Sequence, residues 1–197
     1  SKIGHLEDLQ TLRTFGFRGE ALYAAAAVSK LSLSSHQRGA ETGWRVETEG
    51  GKVLRSGPAA AIPGTTVEIR ELFFNTPARL KFLKSDAFEK GKLAAVIEEA
   101  ALANPEVQFS YKSESRQVLR FSPEPSGDAL ERDRRRCAAV LGDELAGGLL
   151  SIIGDRPGYQ LRLWVSAPEC LAATRHFQHW FVNRRPVESR LLQQALY

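Results

Sequence analysis

Gly16-Phe17-Arg18-Gly19-Glu20-Ala21-Leu22 is a glycine-bracketed turn that runs straight into the alanine-rich stretch Tyr23 to Val28. Gly16 and Gly19 open backbone conformations closed to other residues and let N–H groups approach an anion closely. The helix that follows would add unpaired N–H groups and the positive end of its dipole. On these residues alone two readings stand: a phosphate-holding loop, or a plain turn before a helix. The surrounding chain has to decide between them.

Working outward, Glu20 to Lys30 reads as a helix and Leu31 to Ser34 as a short strand by its alternation. Trp44, Val46 and Thr48 alternate with Arg45 and Glu47, and Gly50-Gly51 supplies a hairpin turn before Lys52 to Arg55 returns. Pro58 and Pro63 bracket a loop, after which Val67 and Ile69 mark a further strand that ends in a turn at Phe74-Asn75-Thr76-Pro77. Asp86 and Glu89 form a capping signature for a long amphipathic helix through Leu93, Val96, Ile97, Ala100 and Ala101, stopped by Asn104-Pro105. Val107 to Tyr111 and Val118 to Phe121 complete an α/β layer, with helices on one face of a mainly antiparallel sheet. Ser122 to Gly127 has the composition of a linker. Beyond it come a helix from Asp128 to Leu141 ended by Gly142, strands at Leu149 to Ile153, Tyr159 to Val165 and Phe177 to Asn183, and a last helix starting near Glu188. The expected division is therefore 1–122, a linker at 123–127, and 128–197.

The chain has 197 residues, 43% hydrophobic and 25% charged, which suits a soluble globular protein of one large or two small domains. Its longest apolar stretch, Ala21 to Val28, falls far short of the ~20 residues a membrane span requires, so no membrane partner is expected. Net charge +4 permits a polyanionic partner, and from Lys112 onward the cations are twelve arginines and one lysine. That bias towards the planar phosphate-gripping side chain tilts the second half towards nucleic acid. Cys137 and Cys170 lack metal-ligand spacing and fit free thiols of a reducing compartment. The chain holds no methionine and starts and ends within patterns, so it is expected to be a piece of a longer protein.

The wording GFRGEAL, then Gly64-Thr65-Thr66-Val67, then Leu72-Phe73-Phe74-Asn75-Thr76-Pro77-Ala78-Arg79-Leu80-Lys81-Phe82-Leu83, resembles the N-terminal ATPase region of MutL-family DNA mismatch repair proteins. Ser1-Lys2-Ile3 is similar to the end of that family's nucleotide lid, and Phe181-Val182-Asn183-Arg184-Arg185-Pro186-Val187 to its FVN-x-R segment. The resemblance implies the C-terminal part of a GHKL-type ATPase sandwich in 1–122. It implies the start of a second, ribosomal-protein-like βαβ domain in 128–197. Its implied function is mismatch repair driven by ATP binding and hydrolysis. The implied cofactors are ATP and magnesium, and the implied partners are DNA without sequence preference, a mismatch-recognition protein of the MutS type, and a second copy or relative of the parent. A bacterial cytoplasm is favoured over a nucleus.

By the same resemblance, Gly16, Phe17, Arg18, Gly19, Glu20, Ala21 and Leu22 wrap the nucleotide phosphates, Thr65 lies near the base, and Ser1 and Lys2 belong to the lid. Glu20 would repel a triphosphate and suits the first turn of a helix better than catalysis. Thr65 and Thr66 can also be read simply as β-branched residues opening a strand. Arg184, Arg185 and Arg190 are the implied contacts to the DNA backbone, with a solvated face paired to Glu188 as the alternative. Arg132, Arg134, Arg135 and Arg136 interleave with Glu131 and Asp133 and read as a salt-bridged helix. His176 and His179, in a strand, would face opposite ways, so no metal site is expected. The family's general base, metal-binding asparagine and adenine-binding aspartate precede Ser1 in its motif order, and its reaching lysine follows Tyr197. No catalytic residue is therefore expected here, and the chain alone is expected not to hydrolyse ATP. The competing readings are a related GHKL ATPase such as a type II topoisomerase subunit, and a non-catalytic DNA-binding scaffold.

Overall fold

The computed structural model describes residues 19–125, 127–170 and 177–195. Its contacts divide the chain into two compact units, Ser1–Lys84 and Ser85–Tyr197. The proline-rich segment expected as a linker thus lies inside the second unit.

In the first unit, helix α1 (Glu20–Ala27) leads into β1 (Lys30–His36), β2 (Gly43–Glu49), β3 (Lys52–Ala59) and β4 (Gly64–Arg70), which form one antiparallel sheet in the order β3-β2-β1-β4. A short helix, α2 (Pro77–Leu80), follows with proline in its first turn, where a missing N–H costs nothing. Helix α1 stops three residues short of the expected Lys30, because Ser29 turns the chain: its hydroxyl donates to the Ala25 carbonyl at 2.7 Å and the residue is fully buried. Pro58 belongs to β3 rather than to a loop, which an edge strand tolerates because the missing N–H faces away from the ladder. The register places Leu31 opposite Ile69, Leu33 opposite Val67 and Ser35 opposite Thr65, so one face carries an apolar row that ends in two hydroxyls. Leu31 and Ala26 are buried there.

In the second unit, α3 (Asp86–Ala103) is capped by Ser85, whose hydroxyl accepts from the Phe88 amide. The cap is one residue earlier than Asp86 and Glu89 suggested. The hairpin β5 (Phe109–Ser113) and β6 (Arg116–Phe121) forms its own two-stranded sheet and does not extend the four-stranded one, and Val107 stays outside it. Then come α4 (Ala129–Leu141), a short α5 (Asp143–Gly147) that the pattern did not reveal, and the hairpin β7 (Leu149–Arg156) and β8 (Tyr159–Ser166). The strand expected over Phe177 to Asn183 shrinks to β9 (Phe181–Val182), paired with β10 (Arg185–Pro186) around a tight turn. Asn183 and Arg184 take the left-handed conformation that such a turn demands. The last helix is α6 (Arg190–Ala195). Among the described residues, every strand pair is antiparallel. Among the described residues, no helix is long and apolar enough to cross a membrane.

Candidate functional site

Of the residues expected around a nucleotide, Ser1, Lys2, Gly16, Phe17 and Arg18 lie outside the described residues. Gly19 is described, and it enters α1 with φ +69°, a left-handed conformation that glycine adopts without penalty. Glycine brings no capping side chain of its own to this position, and the first N–H groups of an α-helix have no partner within the helix. Gly19, Glu20, Ala21 and Leu22 are all exposed. Glu20 occupies the first turn, the placement the helix dipole favours, which matches its structural reading.

The other end of α1 is tied down. The Gly51 amide donates to the Ala26 carbonyl at 2.8 Å, the Asn75 side-chain amide to Ala27 at 2.9 Å, the Phe73 amide to Val28 at 2.6 Å and the Gly50 amide to Ser29 at 3.1 Å. Gly50 and Gly51 both take positive φ, +54° and +83°, which the two-residue turn and its approach to α1 require. The Asn75-Thr76-Pro77 turn is therefore an anchor for this helix, in keeping with its structural reading.

Thr65 sits at the start of β4, exposed, with its hydroxyl 2.8 Å from that of Ser35. Gly64 precedes it at φ +127°, in open space. The loop before Gly64 is held by His36, whose Nδ1 lies 2.6 Å from the Ala61 carbonyl and whose Nε2 lies 2.9 Å from that of Ala40. Two carbonyls at the two ring nitrogens favour the doubly protonated ring, and the Ala40 and Ala61 contacts raise the His36 pKa above its ordinary value. Neither Ser35 nor His36 stood out in the sequence, because a cross-strand hydroxyl pair needs the register to be known.

In the second unit, Arg184 stands in the β9–β10 turn and forms an ion pair with Glu106. Arg185 is half-buried in β10, and Arg190 is exposed at the first turn of α6. The three expected DNA contacts thus share one short stretch of chain, with Arg184 engaged by a carboxylate. Along α4, Glu131 pairs with Arg134 and Arg135, Arg135 also reaches Glu124 at 3.4 Å, and Asp133 pairs with Arg162 at 2.7 Å. Arg134, Arg135, Glu131 and Asp133 thus show the salt bridges the interleaving suggested, while Arg136 is placed differently. Arg136 is fully buried, and its Nη2 donates to the carbonyls of Pro105, Val107 and Ser122 at 2.7, 3.0 and 2.7 Å.

Among the described residues, no group of three His, Cys, Asp or Glu side chains stands close enough together to hold a metal ion. His179 is not in a strand; it lies 4.0 Å from Glu99, and burial lowers its pKa, while His176 is outside the described residues. Cys137 is a free thiol whose pKa burial pushes up to about 11, so it is protonated at neutral pH. That state removes it as a nucleophile.

Comparison with known proteins adds the following. The family described as "DNA mismatch repair protein, C-terminal domain" matches residues 137–197. DNA mismatch repair protein MutL of Elusimicrobium minutum is 46% identical over 197 residues, covering 100% of this chain and 32% of that protein. MutL of Azorhizobium caulinodans is 42% identical over 193 residues, covering 96% of this chain and 30% of its own length. The chain thus spans about a third of the length of the curated relatives it matches. Among solved structures, the Aquifex aeolicus MutL ATPase domain complexed with ADP superposes with a TM-score of 0.71 at 31% identity, covering 98% of this chain and 70% of that one. The mixed α/β architecture with antiparallel sheets matches that ATPase-domain structure.

Proposed function

This chain belongs to the MutL family of DNA mismatch repair proteins, and from that premise we propose that it supplies part of an ATP-driven repair machine. In this reading, the turn Gly16 to Leu22 wraps nucleotide phosphates, Thr65 lies at the base, Ser1 and Lys2 belong to the closing lid, and Arg184, Arg185 and Arg190 meet the DNA backbone. Residues 1–122 belong to the ATPase domain and 128–197 to the DNA-associated one, joined at 123–127. The family match over 137–197 supports the second assignment.

The observation that carries the reading is the backbone at Gly19. A left-handed glycine, which brings no capping side chain of its own, leads into an eight-residue helix. Such a terminus stabilises the negative charge of a phosphate through N–H groups that have no partner within the helix. The ADP complex of the Aquifex aeolicus relative supports nucleotide as the ligand. ATP bound there would supply the phosphoanhydride whose cleavage drives the cycle. What this chain's own residues do is hold the phosphates and place the base. Turnover needs a positioned general base and a magnesium ligand, and the proposed phosphate loop supplies neither. We assign hydrolysis to the longer protein and none to these 197 residues alone.

Binding of the arginine stretch to DNA is dominated by phosphate and so falls steeply with salt, without dependence on sequence. The whole protein would act in a bacterial cytoplasm as a dimer, on DNA and with a MutS-type protein that recognises the mismatch. The test is equilibrium binding of ATP and ADP to the full-length protein and its Gly19→Val variant. Valine cannot hold φ +69° without strain and would crowd the phosphate, so affinity should drop at least tenfold. Unchanged affinity would remove the loop from the nucleotide site.

A further inference from the structure

The Leu72-Phe73-Phe74-Asn75-Thr76-Pro77 turn has no nucleotide role in the reading above, yet it makes the most specific contacts to the helix that does. We propose that Asn75 is a positioning residue for the phosphate loop, acting through the C-terminus of α1. This rests on the assignment of Gly16 to Leu22 as that loop.

Helix α1 is short, and Leu22 and Tyr23 on it are 48% and 73% exposed. Eight residues are too few to hold a helix by propensity alone. What fixes it is its last turn, where every carbonyl from Ala25 to Ser29 has a donor. Ala25 is served from within the helix end by Ser29, but Ala26, Ala27, Val28 and Ser29 receive donors from Gly51, Asn75, Phe73 and Gly50. Three of these four are backbone amides, which only a proline would remove. Asn75 alone is a side chain, and it lies 48 positions along the chain from its acceptor.

The turn is built to make this contact. Glu71 and Phe73 both hold positive φ, +49° and +66°, a conformation non-glycine residues avoid, and in it the Phe73 amide reaches Val28 at 2.6 Å. Proline at position 77 starts α2 and fixes the exit of the turn. Helix α1 is about 12 Å long, so a tilt at its capped end is carried to the Gly19 amides as a displacement of the anion-binding terminus. A misplacement on the ångström scale is enough to spoil phosphate coordination. The carboxylate of an aspartate at position 75 could not donate, and it would face the negative end of the helix dipole.

The experiment uses full-length protein with Asn75→Asp, Asn75→Ala and, as a control on the loop itself, Gly19→Val. Affinities for ATP, ADP and adenosine are measured, and thermal melts are recorded alongside. Asn75→Asp should weaken ATP and ADP at least tenfold and leave adenosine within twofold, because only the phosphate-bearing ligands use the terminus of α1. Asn75→Ala should lose less, about three- to fivefold, with the same ligand pattern. Wild-type affinity for ATP in both Asn75 variants, with Gly19→Val impaired, overturns the proposal and leaves the loop assignment standing. Equal loss for all three ligands also overturns it, since that is the signature of general destabilisation. Unimpaired ATP binding by Gly19→Val sinks the loop assignment, and the role of Asn75 with it.

Discussion

Replacing Arg136 by leucine should loosen the joint between the β5–β6 hairpin and α4. The guanidinium is fully buried and donates through one nitrogen to three carbonyls, those of Pro105 at 2.7 Å, Val107 at 3.0 Å and Ser122 at 2.7 Å. Hydrogen bonds to a charged donor contribute about 1.5–3 kcal/mol each, and since Nη2 carries two hydrogens, one of them shared between two carbonyls, the set is worth roughly 3–6 kcal/mol. Against this stands the cost of burying the charge, several kcal/mol, because its Nε and Nη1 have no hydrogen-bond partner among the described residues and burial lowers its pKa. The ring of Phe121, 5.8 Å from the guanidinium carbon, offsets a little of that. The net loss on removal, with the Val107 and Ser122 carbonyls losing this donor and Pro105 left with the Glu124 amide alone, is about 3 kcal/mol. Since 1.4 kcal/mol is a factor of ten, local opening should rise by about two orders of magnitude. The amide of Glu124 reports it, because it donates to the same Pro105 carbonyl at 2.8 Å. In native-state hydrogen exchange, Arg136→Leu should strip protection from Glu124 while Arg136→Lys, which keeps charge and donors, retains part of it. Exchange at Glu124 unchanged within twofold in the leucine variant would refute the reasoning, for the clamp would then carry no free energy.

Further expectations concern other parts of the molecule. Cys137, with its pKa near 11, should react with iodoacetamide at pH 8 far more slowly in the native protein than in urea; equal rates would show the thiol is not shielded. His36 has a folded pKa raised above its ordinary value of about 6.5 by the Ala40 and Ala61 carbonyls. Its contribution to holding the loop before Gly64 is therefore complete below the unfolded pKa and is lost as pH rises through the folded one. An NMR titration of the His36 ring with a midpoint at or below that of a free histidine would contradict this. Gly64→Ala places a side chain at φ +127° in open space, so backbone strain alone should cost about 1–3 kcal/mol and weaken nucleotide binding, as calorimetry can read. Arg190→Glu should reduce DNA affinity and flatten its salt dependence by about one unit of slope, measured by filter binding, with no change in sequence preference.

The sequence carried the helix after Gly19, the Gly50-Gly51 hairpin and the strand through Val67 and Ile69, because each rests on local signals of turn and period. What it hid depends on partners distant in the chain. Ser29 ends α1 early through a buried hydroxyl, which looks like any serine before a strand. Arg136 reads as one more cation in a charged run, and its burial comes from carbonyls 14 to 31 positions away. Both hairpins, β5–β6 and β7–β8, were visible as strands, but nothing local says that β5 and β6 pair only with each other. The Phe177 to Asn183 stretch, rich in aromatic and β-branched residues, yields only a two-residue strand, Phe181–Val182, which ends at the tight turn of Asn183 and Arg184. At the candidate site, the glycine turn and Thr65 were legible as motifs, whereas Ser35, His36 and the anchoring contact of Asn75 required the register of the sheet.

The most direct test of the central claim is magnesium-dependent ATP turnover by the full-length protein, by its Gly19→Val variant and by the 197-residue chain alone, each with and without single-stranded DNA. The account predicts turnover that DNA stimulates in the full-length protein, its loss in the variant, and none from the chain alone. Turnover that survives Gly19→Val, or turnover by the 197 residues themselves, would contradict it.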